Sequence, residues 1–298
     1  MNTINLNAKV SGEYNICITK ADGSIQETGW FDNLILNGGL DRLAQGQPVG
    51  YCSVGSGTSV PTPTQTTLDA RLVTNTTYQN GASSAVNSGS PLYQTTLTYA
   101  NVFNQGAVVG NISEVGIGNA ANGTALFSRA LILNNVGAPT TLTLVALDQL
   151  TVYYRIKFTP VLTDQVGTIN ISGTSYGYTL RIANVGNFLV DPSLFATTYF
   201  VSPSGTTAYI TGSALGAITG SPTLSGFTGS PTNIIYVPGS YEQATQLQWS
   251  ITQGTVPFQA IMFGWGNSTN RYQVRFDAPI PKSNTNVLTL VVKFSWSR

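Results

Sequence analysis

Leu150-Thr-Val-Tyr-Tyr-Arg-Ile-Lys-Phe158 alternates without a break: Leu150, Val152, Tyr154, Ile156 and Phe158 fall on one side, Thr151, Tyr153, Arg155 and Lys157 on the other. A period of two is the signature of a strand with one buried and one wet face. Working outward, Ala125–Leu133 and Thr140–Leu147 read as further strands, separated by Asn134-Asn-Val-Gly137 and then Ala138-Pro139. Asn and Gly supply the positive φ of a tight hairpin turn. Residues 112–158 are therefore expected to form a β-meander, the best-specified part of the core.

The rest of the chain repeats this grammar. Glu13–Thr19 places Tyr14, Ile16 and Ile18 on one face, Ala21-Asp-Gly23 turns the chain and Ser24–Trp30 returns, so a hairpin is expected. Asn37-Gly-Gly-Leu-Asp-Arg-Leu43 reads as a short helix with Asn37 as N-cap and Asp41 in its first turn. Val49–Val54 reads as a buried strand, Thr66–Leu72 as a short helical turn, residues 75–90 as a polar loop and Leu92–Val102 as a strand. After a turn at Thr163-Asp-Gln, Thr168–Ile171 and Tyr176–Ile182 read as two more strands.

Beyond residue 185 the composition shifts. Five prolines (Pro192, Pro203, Pro222, Pro231, Pro238) lie among Gly, Ser and Thr, but Phe188, Phe195, Tyr199, Phe227 and Tyr236 recur through the stretch. That much apolar surface argues for short packed strands rather than a flexible linker. Ser240-Tyr-Glu-Gln243 has capping-box spacing, which suggests a helix over Tyr241–Thr252. Gly116-Ile-Gly118-Asn119 and Val152–Phe158 have counterparts in Gly264-Trp-Gly266-Asn267 and Leu288–Phe294. Either a duplicated β-sandwich or shared strand grammar produces such echoes. The expected fold is all-β: two β-sandwich-like units, residues 1–185 and 186–298, with long loops and one or two short helices.

Composition narrows the chemistry. With 298 residues and 42% hydrophobic side chains the chain can bury a sizeable core, yet only 8% of its residues are charged and the net charge is +1. Ordinary soluble domains carry about a quarter charged residues. A neutral, hydroxyl- and amide-rich surface keeps molecules apart poorly and suits a subunit held in an assembly. There is no histidine, so the usual general base and commonest metal ligand are missing. Cys17 and Cys52 have no metal-type spacing and form no disulfide framework. No basic stripe points to nucleic acid, and no apolar run reaches membrane-spanning length. Met1-Asn-Thr-Ile-Asn-Leu lacks the order of a signal peptide, so synthesis in a cytoplasm is expected.

Two motifs invite a sharper reading. Gly55-Ser-Gly57-Thr58 contains the glycines of a phosphate loop, but no Lys and no helix pattern follow it, so it reads as a turn closing a strand. Glu114 and Arg129 fall inside strongly apolar strands. Asp22, Asp32, Asp41, Asp148 and Asp164, by contrast, sit at turns, strand ends or the helix start, where carboxylates bond backbone. Paired carboxylates of the glycosidase kind would need a second clustered acid beside Glu114. Because buried charges are normally paired, Glu114 and Arg129 are expected to form a structural ion pair, and an apolar pair in their place should recover much of the stability lost when either is removed. No catalytic, cofactor-binding or metal-ligating residues are expected.

Asn33-Leu-Ile-Leu-Asn-Gly-Gly-Leu-Asp41, Cys52-Ser-Val-Gly-Ser-Gly-Thr58, Ser113-Glu-Val-Gly-Ile-Gly118, Leu126-Phe-Ser-Arg-Ala-Leu-Ile132, Tyr272-Gln-Val-Arg-Phe-Asp-Ala-Pro-Ile-Pro-Lys282 and Leu288–Trp296 occur in this order. The set resembles a family of tailed-bacteriophage virion proteins of the tail or tail-fibre type. The resemblance implies a non-enzymatic structural subunit of a virion, made in the host bacterial cytoplasm and acting at the tail, baseplate or fibre attachment. A capsid decoration (cement) protein is the alternative. A carbohydrate-binding adhesin is a third, with Trp30, Trp249, Trp265 and Trp296 as candidate stacking platforms for a host surface glycan. The expected partners are copies of itself, a trimer before a ring, and other virion proteins, with neither nucleic acid nor membrane insertion.

Overall fold

The computed structural model describes residues 3–45, 49–75, 77, 83–87, 94–183, 185, 214–220, 229–254, 256–265 and 267–298. In chain order its elements begin with β1 (Thr3–Thr19), β2 (Ile25–Glu27), β3 (Phe31–Asp32), β4 (Leu34–Ile35), α1 (Asn37–Gln45), β5 (Tyr51–Gly55), β6 (Arg71–Thr74), β7 (Ser83–Asn87) and β8 (Gln94–Val102). The middle holds β9 (Gly110–Ile112), β10 (Glu114–Gly118), β11 (Leu126–Leu131), β12 (Leu142–Leu144), β13 (Gln149–Pro160), β14 (Gln165–Ile171) and β15 (Thr174–Ala183). The chain closes with β16 (Ser230–Asn233), β17 (Glu242–Trp249), β18 (Phe258–Trp265), β19 (Asn267–Ile280) and β20 (Leu288–Ser297). The fold is all-β, with one helix among the described residues.

A nine-stranded sheet is the frame, in the order β16-β17-β20-β1-β13-β8-β7, with β2 and β3 also on β1. β1 is its spine. Its first half runs parallel to β20, its second half pairs with β2 and β3, and β13 lies antiparallel along its other side from Ala8 to Thr19. The strict alternation of β13 is realised: Leu150, Val152, Tyr154, Ile156 and Phe158 are buried and their neighbours half-buried. The registers Leu6↔Phe294 and Leu288↔Trp249 place the buried side chains of β1, β20 and β17 on one common face.

Two smaller sheets cover that face at different places. One is β4-β11-β10-β5-β6, whose Phe127 ring meets the edge of Tyr154 and whose Ser128 Oγ lies 2.7 Å from the Tyr14 hydroxyl. The other is β14-β15-β19-β18, whose Phe258 packs on Trp249 with centroids 5.7 Å apart. Strands β10 and β11, covered on both sides, are buried at nearly every position. Helix α1 lies against β11 through Gly39, where a Cβ would come within 2.1 Å of the Phe127 carbonyl oxygen. No larger residue fits that approach.

Several expectations are corrected. Residues 112–158 are not a meander: β10 and β11 form a hairpin in one sheet, β12 pairs with β9 in a two-stranded ribbon and β13 belongs to the large sheet. The turn between them does close as expected, with Asn134 Oδ1 accepting from the Val136 and Ala138 amides. The helix expected over Tyr241–Thr252 is absent, and β17 takes its place. β17 alternates with Gln243, Thr245, Leu247 and Trp249 inward, because a period of two running into Trp249 outweighs capping-box spacing. Thr66–Leu72 makes no helical turn and leads into β6, while β7 interrupts the polar loop expected over 75–90. Asn37 is itself helical, its Oδ1 accepting from Arg298 Nη2, and Asp41 lies beyond the first turn.

The boundary expected at residue 185 does not separate two sheets. Hydrogen bonds join β1 to β20 and β15 to β19 across it, and one hydrophobic cluster runs from Ile4 to Trp296. The stretch 186–213 lies outside the described residues, as does most of 221–238's first half.

Candidate functional site

Glu114 opens β10 and Arg129 lies opposite Gly116 in β11, so the hairpin register sets both side chains on one side of the covering sheet. Both are fully buried, with Arg129 Nη2 2.7 Å and Nε 2.9 Å from Glu114 Oε2. Both guanidinium nitrogens converge on the one carboxylate oxygen, a charge-assisted contact.

The carboxylate has further partners. Oε1 accepts from the amides of Gly57 (3.0 Å) and Ala70 (2.8 Å), and Oε2 from the amide of Asp69 (3.1 Å). The glycines of Gly55-Ser-Gly57-Thr58 are therefore explained by close approach: a Cβ on Gly57 would stand 2.5 Å from Glu114 Oε1. The loop does cradle an anion, but the anion is the protein's own. On the other side Arg129 Nη2 also reaches Asp69 Oδ2 (2.9 Å) and the Ser59 carbonyl (3.1 Å), and Nη1 reaches Gln65 Oε1 (2.8 Å). Gln65 is held in turn by the Thr62 amide, and Ser59 Oγ donates to Asp69. The whole connection from β5 to β6 is thus wound around one buried ion pair.

The chemistry this arrangement can perform is narrow. Five donors occupy the oxygens of Glu114, leaving no lone pair and no access for a substrate. Asp69, the partly exposed acid of the group, is held below the ordinary carboxylate value, chiefly by the Ser59 hydroxyl and further by Arg129. A general acid needs a shift in the opposite direction. The adjoining cleft of about 380 Å³ is lined by Thr58, Ser113, Leu131, Pro139, Thr140 and Thr141, none of them titratable near neutral pH. The geometry is that of a clasp.

A second charged group lies on the outer face of the large sheet. Glu13 of β1 faces Arg155 of β13 in register and bonds both Arg155 and Lys157, while the Arg155 guanidinium stacks 3.9 Å over the ring of Trp30. Desolvation pushes the Glu13 carboxyl up, but the hydrogen bonds and charge of Lys157 and Arg155 outweigh it and hold it below its ordinary value.

The remaining candidates are placed as follows. Asp22 accepts from the Ser24 amide, Asp148 from the Val145 amide and Lys20, and Asp164 from Arg181. Asp41 accepts from the Tyr236 hydroxyl (2.5 Å) and the Gly239 amide (2.6 Å), a contact the sequence does not announce because 195 residues separate Asp41 from Tyr236. Asp32 stands opposite Glu13 in register. Trp249 and Trp296 are core residues, and Trp30 is 40% exposed. Cys17 and Cys52 are free and buried, and burial pushes both thiols up, away from nucleophilic character. No group of three or more metal-ligating side chains occurs among the described residues.

The sequence singled out Glu114 and Arg129 but missed Ser59, Gln65 and Asp69. Their one signal was Gln65 and Asp69 following Pro61-Thr-Pro63, an amide and a carboxylate in a loop rich in Thr and Pro. Comparison with known proteins returns nothing: no family model, no curated protein and no solved structure matches the chain, and the resemblance to phage virion proteins rests on its motifs alone.

Proposed function

We propose that the chain is a structural subunit of a tailed-bacteriophage virion, a tail, baseplate or fibre-attachment component that works by assembly and not by turnover. The observation that carries this reading is where the polar chemistry is spent. The best-formed charged constellation, around Glu114 and Arg129, is sealed and holds a loop. Meanwhile large aliphatics stand in solvent, including Ile235 at 91%, Val136 at 80% and Val166 at 80%. A chain with 8% charged residues and such exposed aliphatics favours neighbours over isolation. Homo-oligomerisation, as a trimer before a ring, belongs to the same proposal, as does location in the virion.

Capsid decoration draws on the same observation at a different station. The adhesin reading has one specific support: Trp30 is exposed on the outer sheet face beside Glu13, Arg155 and Lys157, groups able to bond saccharide hydroxyls. Immunogold labelling of intact particles with an antibody against this chain tests the proposal. Label on the tail supports it, label on the head supports decoration, and the absence of label on purified particles overturns both.

A further inference from the structure

Among the described residues the buried charged side chains are Arg42, Glu114, Arg129, Asp148 and Lys282. All but one have partners. Glu114 and Arg129 hold each other, Asp148 pairs with Lys20, and Lys282 donates to the Ser283 carbonyl. Arg42 is the exception: its guanidinium makes no hydrogen bond and no ion pair, and Nη1 is closed off from solvent without an acceptor. Its own helix cannot supply the missing charge. Asp41, the one acid of α1, is already engaged by the Tyr236 hydroxyl and the Gly239 amide, and adjacent residues on a helix do not face each other.

Arg42 lies in the last turn of α1, where the helix dipole favours a cation. That field steadies the charge but leaves the guanidinium donors without an acceptor. A lysine so placed could give up its proton; an arginine cannot. Burial pushes the Arg42 guanidinium down only to about 10, so it stays charged at neutral pH. A buried cation without a partner is among the costliest arrangements in a protein interior. The side chain is nonetheless not wholly sealed. It is 7% exposed, and of its three nitrogens only Nη1 is closed off, so the Nε–Nη2 edge can be reached from solvent.

We infer that Arg42 is an anion-binding site, taking a small oxyanion of the carboxylate or phosphate class on the Nε–Nη2 edge of its guanidinium. The site stands independently of the assembly reading above. On that edge two N–H groups point the same way and match two oxygens of one carboxylate or phosphate. Charge-assisted bonds of this kind are strengthened where water is largely excluded, as it is around Arg42. The anion supplies the charge and the acceptors that no described residue provides.

The test uses the full chain and follows its melting temperature against inorganic phosphate and, separately, acetate, with ionic strength held constant by chloride so that screening does not change. An anion that binds only the folded state raises the melting temperature with its concentration. The wild type is expected to show that rise with at least one of the two anions, and the anion that gives it identifies the preferred class. Arg42→Met, of similar length and without charge, is expected to lose the rise. Arg42→Lys keeps the charge but not the fork, and should need roughly tenfold more anion or greater for the same rise. A wild type that ignores both anions overturns the inference and marks the guanidinium as structural. An Arg42→Met variant that responds as strongly as the wild type also overturns it, because the anion then acts elsewhere. If Arg42→Met fails to fold, Arg42→Lys decides: a weakened response supports the site and an undiminished one overturns it.

Discussion

The Glu114–Arg129 clasp and the Glu13–Arg155–Lys157 row use the same functional groups with opposite consequences. In the first, both charges are sealed beneath the β5–β6 connection and every oxygen of the carboxylate is engaged. In the second, Arg155 and Lys157 remain 28% and 17% exposed and water competes for each contact. Location, and not the number of ion pairs, decides which group the fold depends on.

The largest effect should come from opening the clasp. Arg129→Ala or Glu114→Ala leaves a buried charge without its partner and is expected to cost about 3–5 kcal/mol in chemical denaturation. An apolar pair at both positions should restore less than the sequence suggested. The amides of Gly57, Asp69 and Ala70 would lose their acceptor, at about 1–3 kcal/mol each if they stay buried. A double variant as stable as the wild type would show that the loop finds other acceptors and that the clasp is dispensable.

Gly57→Ala tests the same site by volume alone. Its Cβ would stand 2.5 Å from Glu114 Oε1 and 2.6 Å from Asp69 Cβ, and overpacking of this kind costs about 1–3 kcal/mol. On the outer face, Glu13→Ala should cost no more than about 1 kcal/mol per ion pair. Molar salt should erase that difference while leaving the Arg129→Ala deficit intact, because buried pairs are screened much less. A salt-insensitive Glu13→Ala deficit would break the comparison.

The smallest expected effect is in acid. The folded-state values of Glu13 and Asp69 lie below their ordinary values of 4.5 and 3.8. Their contributions are therefore fully present above those values and are lost as pH falls through the lowered ones. Glu13→Gln and Asp69→Asn should each flatten the acid limb of stability against pH below about 4.5, with no change in slope near neutrality. Unchanged acid limbs in both variants would show that neither carboxylate is held as the geometry indicates.

What the sequence by itself determined is local. Side-chain alternation revealed β13 and the Glu13–Thr19 part of β1, the Asn134–Gly137 turn was legible from its turn chemistry, and two charges inside apolar runs marked Glu114 and Arg129. What only the tertiary structure decided is who lies beside whom. Three neighbouring strand patterns between residues 112 and 158 went to three different sheets, β20 joined β1 from 289 residues away, and capping-box spacing at Ser240 yielded to a strand. The donors that fill Glu114 likewise arrive from a loop 44 to 57 residues distant. A period of two tells a strand which face to bury but not which partner to pair with; that choice follows from the competition of all faces for one core.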